Sequence, residues 1–177
     1  MEEKQVDNDV MMCAYQTDFT YPGQKHFDCG NVVVNSFVRN SLKKNVKDGN
    51  CAAKILINVE SGELLGVCTF TAYSLEKSKL SGVVAGSLPN EIGVVRLVML
   101  GVATKEQKKG YGQDLLLEFF EQVKIIHDAL PVKGVYLDAD PEAINFYARL
   151  GFVQLKEPPN MFGAVPMFLA IQHILAA

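Results

Sequence analysis

The chain has 177 residues, 49% of them hydrophobic and 21% charged, with a formal net charge of −3 and a pI of about 5.6. Those proportions fit a single globular domain spanning residues 1–177 with a sizeable core, and they exclude a disordered or low-complexity chain. The acidic balance argues against a general binder of polyanions, and no apolar run is long enough to cross a membrane.

Residues 1–9 are acidic and polar, with no signal-peptide apolar stretch, so the expected compartment is the cytoplasm. Residues 10–15 read as an opening strand. Between 31 and 46, Val34, Phe37, Val38, Leu42 and Val46 recur at helical spacing, and Gly49 follows as a stop signal. Residues 51–59 and 64–73 read as a hairpin around the turn 60–63. The stretch 75–91 carries Ser, Gly and Pro with little periodicity, and it reads as a long connection holding a helical turn. Connections of that length are often functional. A long strand at 92–102, a helix at 110–130, a strand at 133–137, a short helix at 141–150, a loop at 158–160 and a terminal strand at 167–174 complete the chain. That order predicts an α/β fold, a mixed sheet with helices on its faces. Cys13, Cys29, Cys51 and Cys68 are scattered, and His26, His127 and His173 lack ligand spacing, so free thiols and no metal are expected.

Gln107-Lys108-Lys109-Gly110-Tyr111-Gly112 joins the long strand to the long helix. Its two glycines permit a tight turn and leave backbone N–H groups uncovered. The helix start adds further donors and the positive end of the dipole, and Lys108 and Lys109 add charge. A pyrophosphate is the most natural ligand. The lysine followed by serine or threonine that a P-loop requires is missing, and Leu115 stands where a Rossmann fingerprint needs glycine. An ordinary strand-to-helix turn would use the same residues.

The Gln-x-x-Gly-x-Gly turn resembles the one by which GNAT N-acetyltransferases hold the pyrophosphate of acetyl-CoA. A second stretch, Asp138-Ala139-Asp140-Pro141-Glu142-Ala143-Ile144-Asn145-Phe146-Tyr147-Ala148-Arg149-Leu150-Gly151-Phe152, is similar to that superfamily's A-x-x-F-Y-x-x-x-G-F segment. Residues 26–37, containing Phe27-Asp28-Cys29-Gly30-Asn31, resemble the GNAT toxins of bacterial toxin–antitoxin modules, as do residues 65–75 and Val165-Pro166-Met167-Phe168-Leu169. The resemblance covers roughly residues 26–175. It implies a GNAT fold, a mixed central sheet flanked by helices in which two parallel strands, here 92–102 and 132–137, splay apart to admit the pantetheine arm. In that fold the backbone of Leu100, Gly101 and Val102 would bond the pantetheine amides. Gln107, Lys108, Lys109, Gly110, Tyr111 and Gly112 would cradle the pyrophosphate, Phe146 would adjoin the cofactor, and Tyr147 would hold a proton at the CoA sulfur. The resemblance further implies a homodimer, a ribbon-helix-helix antitoxin, and aminoacyl-tRNA as acceptor, with Arg39, Lys43, Lys44 and Arg96 as RNA contacts.

A phenol with a pKa of about 10 is protonated at neutral pH, which suits Tyr147 to that role. Simple packing against Phe146 and Phe152 is the alternative. No residue stands out as a general base, although Glu91, just before the central strand, could serve through water. An α-amine with a pKa of about 8 is already partly neutral at pH 7, so the chemistry suits it better than a lysine side chain. Met99 stands where the toxins carry a second arginine, Lys108 where many carry glycine, and Asp140 where other GNATs carry asparagine. The acidic charge also weakens attraction for phosphates. The sequence therefore leaves three activities open: a toxin acetylating aminoacyl-tRNA, an acetyltransferase of a small-molecule or protein amine, and a non-catalytic GNAT-like binding protein.

Overall fold

The computed structural model describes residues 4–7 and 9–177. In chain order the elements are β1 (Lys4–Asp7), β2 (Val10–Ala14), α1 (Val32–Asn40), α2 (Leu42–Lys47), β3 (Ala52–Asn58), β4 (Leu64–Glu76), α3 (Lys77–Leu80), β5 (Glu91–Val102), α4 (Tyr111–Ala129), β6 (Gly134–Ala139), α5 (Ile144–Arg149), β7 (Val153–Gln154), β8 (Val165–Ala170) and α6 (Ile171–Leu175). The chain divides into two compact units, 1–71 with 99–119 and 72–98 with 120–177, and β4, β5 and α4 each contribute to both.

In the first unit the strand order is β1-β2-β3-β4-β5, with β1 to β4 antiparallel. Alternation along β3 assigns its two faces. Ala53 and Ile55 pack with Val34, Val38 and Leu42 of α1 and α2. On the other face Lys54 Nζ lies 3.2 Å from Glu118 Oε1 of α4. Gly66 lets α4 come close there, because a Cβ at that position would sit 2.9 Å from Leu115 Cδ1. The single helix expected over 31–46 is two helices, since Ser41 leaves helical dihedrals at φ −123°. As α2 begins, the Ser41 carbonyl accepts from both the backbone N–H and the side-chain Nδ2 of Asn45, each at 2.9 Å.

In the second unit the order is β4-β5-β6-β8-β7. β5 and β6 run parallel and are in register only at Val95↔Val135 and Arg96↔Tyr136. β6 stays paired with β8 from Gly134 to Ala139, so the parallel strands part beyond Arg96, as the resemblance implies. Glycine is obligatory at 134, where a Cβ would meet the Leu169 carbonyl oxygen at 2.1 Å. The expected connection after residue 75 is part of this core: α3 supplies its helical turn, and Leu80, Val84 and Leu88 cover Ile92, Val94, Tyr136 and Phe168. The terminal strand expected to reach 174 ends at Ala170 instead. Ile171 and Ile174 are both buried, a spacing of three that helix α6 satisfies and a strand does not. Strands β1 and β7 had no apolar alternation to announce them. Among the described residues, no helix is long and apolar enough to cross a membrane.

Candidate functional site

In the first unit, β5 ends at Leu100, Gly101 and Val102, and the chain passes through a 3-10 turn, Thr104–Glu106, before α4. Gln107 Nε2 ties the passage down by donating to the carbonyls of Cys29 (2.8 Å) and Val102 (2.9 Å). Lys108 follows at φ 64°, the one non-glycine with positive φ among the described residues, and Gly110 at φ 89°. Asp114 N–H donates to the Gly110 carbonyl at 3.1 Å, so the helix starts there. A Cβ on Gly110 would meet nothing within 4 Å, so glycine serves the backbone turn and open space lies before it. The 19-residue helix α4 begins directly after this open-sided glycine, so the positive end of its dipole lies there. Lys109 pairs with Glu106 (2.7 Å) and Lys105 with Glu63 (2.6 Å), while Lys108 is exposed. Tyr111 is buried and Gly112 sits against Val102.

Residues 27–39 form a hydrogen-bonded knot beside β5. Asn31 caps α1, its side chain accepting from Val33 and Val34 N–H. Asn35 accepts from Cys29 N–H at 2.8 Å and donates to Asp28 Oδ1 at 2.8 Å. Asp28 Oδ1 also accepts from Gly30 N–H, and the Asp28 carbonyl from Thr104 N–H. The Gly30 and Asn35 donors, helped by Arg39, hold the Asp28 carboxyl below its usual pKa. Cys29 Sγ and Val34 crowd Gly101, where a Cβ would come within 3.0 Å and 2.9 Å of them. Burial raises the Cys29 pKa and keeps it a thiol. The cations expected to contact RNA are exposed here: Arg39 donates to the Phe27 carbonyl, Lys43 lies 3.4 Å from the Phe19 carbonyl, and Lys44 pairs with Asp48.

In the second unit, Asp140 accepts from Glu142 N–H and starts a 3-10 turn with Pro141 that leads into α5. Gly151, at φ 96°, ends that helix. Tyr147 is buried, its ring meeting Phe146 and Phe152 edge-on at 5.2 Å and 5.5 Å. Arg96 is bound to Asp138, Nη2 to Oδ2 at 3.0 Å, and Tyr136 donates its hydroxyl to Asp138 Oδ1 at 2.9 Å. Burial, and then the adjoining Asp138 carboxylate, keep the Tyr136 phenol protonated well above its usual range. Sequence reasoning missed Tyr73, Tyr136 and Asp138; strand alternation of 136 and 138 was the one local signal, and Arg96, which Asp138 binds, is 42 residues away. Glu91 opens β5, exposed, and accepts the Ser74 hydroxyl.

Residues 53–154 match the model of a GNAT acetyltransferase domain. A solved structure described as a bacterial toxin is 74% identical over 94% of this chain and 93% of its own, with a TM-score of 0.92. Two more distant structures, each 22% identical, share the fold. One is a mutant AtaT toxin bound to the C-terminus of the antitoxin AtaR and acetyl-CoA, covering 96% of this chain and 98% of its own at TM-score 0.78. The other is AtaT complexed with acetyl-methionyl-tRNAfMet, covering 95% and 98% at TM-score 0.80.

Proposed function

The chain belongs to the GNAT acetyltransferase family, and we propose that it carries the acetyl group of acetyl-CoA to the α-amino group of an aminoacyl-tRNA. The donor half rests on the Gly110 turn, where a left-handed glycine opens a 19-residue helix beside exposed Lys108 with free space in front. Those features fit a pyrophosphate. When bound, acetyl-CoA supplies the acetyl group as an activated thioester. Lys108 and the N–H groups of the first turn of α4 would neutralise its phosphates, and the backbone of Leu100, Gly101 and Val102 would orient its arm. Tyr147, wedged between Phe146 and Phe152, would hold its hydroxyl proton for the leaving sulfur.

The acceptor half draws support from the 74% identical bacterial toxin and from the fold shared with AtaT, which is solved with acetyl-methionyl-tRNAfMet. An α-amine with a pKa of about 8 needs little help from a base, and Glu91 is the carboxylate that would relay a proton through water. Exposed Arg39, Lys43 and Lys44 are the phosphate contacts of this reading. A ribbon-helix-helix antitoxin and a homodimer belong to it as well; AtaT is solved with its antitoxin's C-terminus. The net charge of −3 favours a second acceptor class, a small-molecule or protein amine.

Radiolabelled acetyl-CoA incubated with bulk charged tRNA, with Tyr147→Phe as control, tests the proposal. Label on aminoacyl-tRNA that depends on Tyr147 is the expected result. No label, with acetyl-CoA binding intact, moves the acceptor to a small-molecule or protein amine.

A further inference from the structure

Tyr73, Arg96 and Tyr136 stand on three neighbouring strands of the second unit, one each on β4, β5 and β6. The tyrosine rings stack at 5.4 Å with 19° between their planes, and the Arg96 guanidinium carbon lies 5.1 Å from the Tyr73 ring centre. Asp138 fixes the row, one oxygen on Arg96 and the other on Tyr136. Tyr136 is buried, whereas Tyr73 is 38% exposed.

Folding stability does not account for this row. A half-enclosed ion pair returns little net stability, and Arg96 Nε is buried with no hydrogen-bond partner, which is unfavourable. Apolar side chains here would simply have continued the face formed by Leu75, Ile92, Val94 and Phe168. Departures of this kind gather where a ligand is recognised. The row also lies at the last registered pair of β5 and β6, at mid-strand, where the two parallel strands cease to pair.

We propose that the Tyr73–Arg96–Tyr136 row seats an unpaired nucleobase of the RNA acceptor, an inference that rests on the aminoacyl-tRNA reading above. A flat base lies along the exposed Tyr73 ring, and the guanidinium extends the platform. Asp138 is a positioning residue that holds Arg96 in place. Stacking gains from the π-face of any base and needs no surplus of positive charge. It therefore suits a chain of net charge −3, for which phosphate attraction is weak.

The test compares acetylation of bulk charged tRNA with acetylation of amino-acid ethyl esters, which carry the same α-amine without RNA. Tyr73→Ala and Tyr73→Leu raise the KM for charged tRNA about tenfold and lower the tRNA-to-ester ratio of kcat/KM to match, and Tyr73→Phe restores both. Acetyl-CoA binding by calorimetry confirms that each variant is folded. A ratio held at the wild-type value in both variants overturns the nucleobase seat while leaving the tRNA reaction standing. Wild-type protein that labels esters and never tRNA overturns the acceptor reading and the seat with it.

Discussion

Gln107 donates one side-chain nitrogen to both the Cys29 and the Val102 carbonyls, and so ties the start of the 107–112 turn to a loop 78 residues earlier. The knot around Asp28, Asn31 and Asn35 is therefore the anchor of that turn. Gln107→Ala leaves two carbonyls without this donor and should lower stability by about 1–2 kcal/mol. Acetyl-CoA binding should weaken with it. An unchanged melting curve and an unchanged calorimetric affinity would remove the anchor role.

Gly110 is at φ 89° in open space. Gly110→Ala should cost about 1–2 kcal/mol through backbone conformation alone. Gly110→Glu adds a negative charge where a pyrophosphate is expected and should abolish acetyl-CoA binding. Undiminished affinity of the glutamate variant in calorimetry would show that the cofactor lies elsewhere.

Tyr147→Phe keeps both edge-on ring contacts and removes only the hydroxyl. The expected effect is a fall in kcat of about a hundredfold or more, with the acetyl-CoA dissociation constant unchanged. Single-turnover kinetics would separate the two quantities. A variant with full kcat would reduce Tyr147 to a packing residue.

Lys54 and Glu118 are side chains only 10% and 13% exposed, joined between β3 and α4. Removing one partner strands the other charge, so Lys54→Met should destabilise by about 3–5 kcal/mol. Lys54→Met with Glu118→Leu should recover most of that loss, because the pair itself contributes little. Denaturant melts of the two single variants and the double variant would decide it; equal, additive losses would contradict the argument.

Asp28 has a carboxyl pKa depressed by its Gly30 and Asn35 donors. A depressed folded value stabilises the protein above the ordinary aspartate pKa of about 3.9, and that stability disappears as pH falls through the lower folded value. Asp28→Asn should therefore flatten the acid limb of the stability curve below about pH 4, while the backbone carbonyl of residue 28 keeps its bond from Thr104 N–H. Identical acid limbs in the two proteins would assign the acid sensitivity to other groups.

Much of this was legible because it is local in the chain. The glycines at 110 and 112, the Asp140-Pro141 helix start and the aromatic pair at 146 and 147 are short-range patterns, and the structure places them on the elements they announce. What could not be read depends on register, on backbone dihedrals and on burial. The break at Ser41 is a departure of its backbone from helical dihedrals within an unbroken apolar periodicity, and the turn from β8 into α6 is decided by tertiary burial of Ile171 and Ile174. Arg96 was legible as a cation, but its engagement by Asp138 and Tyr73 appears only once β4, β5 and β6 are laid side by side. Gln107, read as a cofactor ligand, has its side-chain nitrogen engaged by two carbonyls of the protein itself.

Lys108 sits in left-handed backbone that glycine would occupy without strain. Lys108→Gly would relieve about 1 kcal/mol of that strain and remove an exposed positive charge beside the turn. A laboratory selection for heat resistance alone would drift toward glycine at this position, and a selection for turnover at scarce acetyl donor would hold the lysine. The residue found there after each regime would report which pressure the turn had answered to.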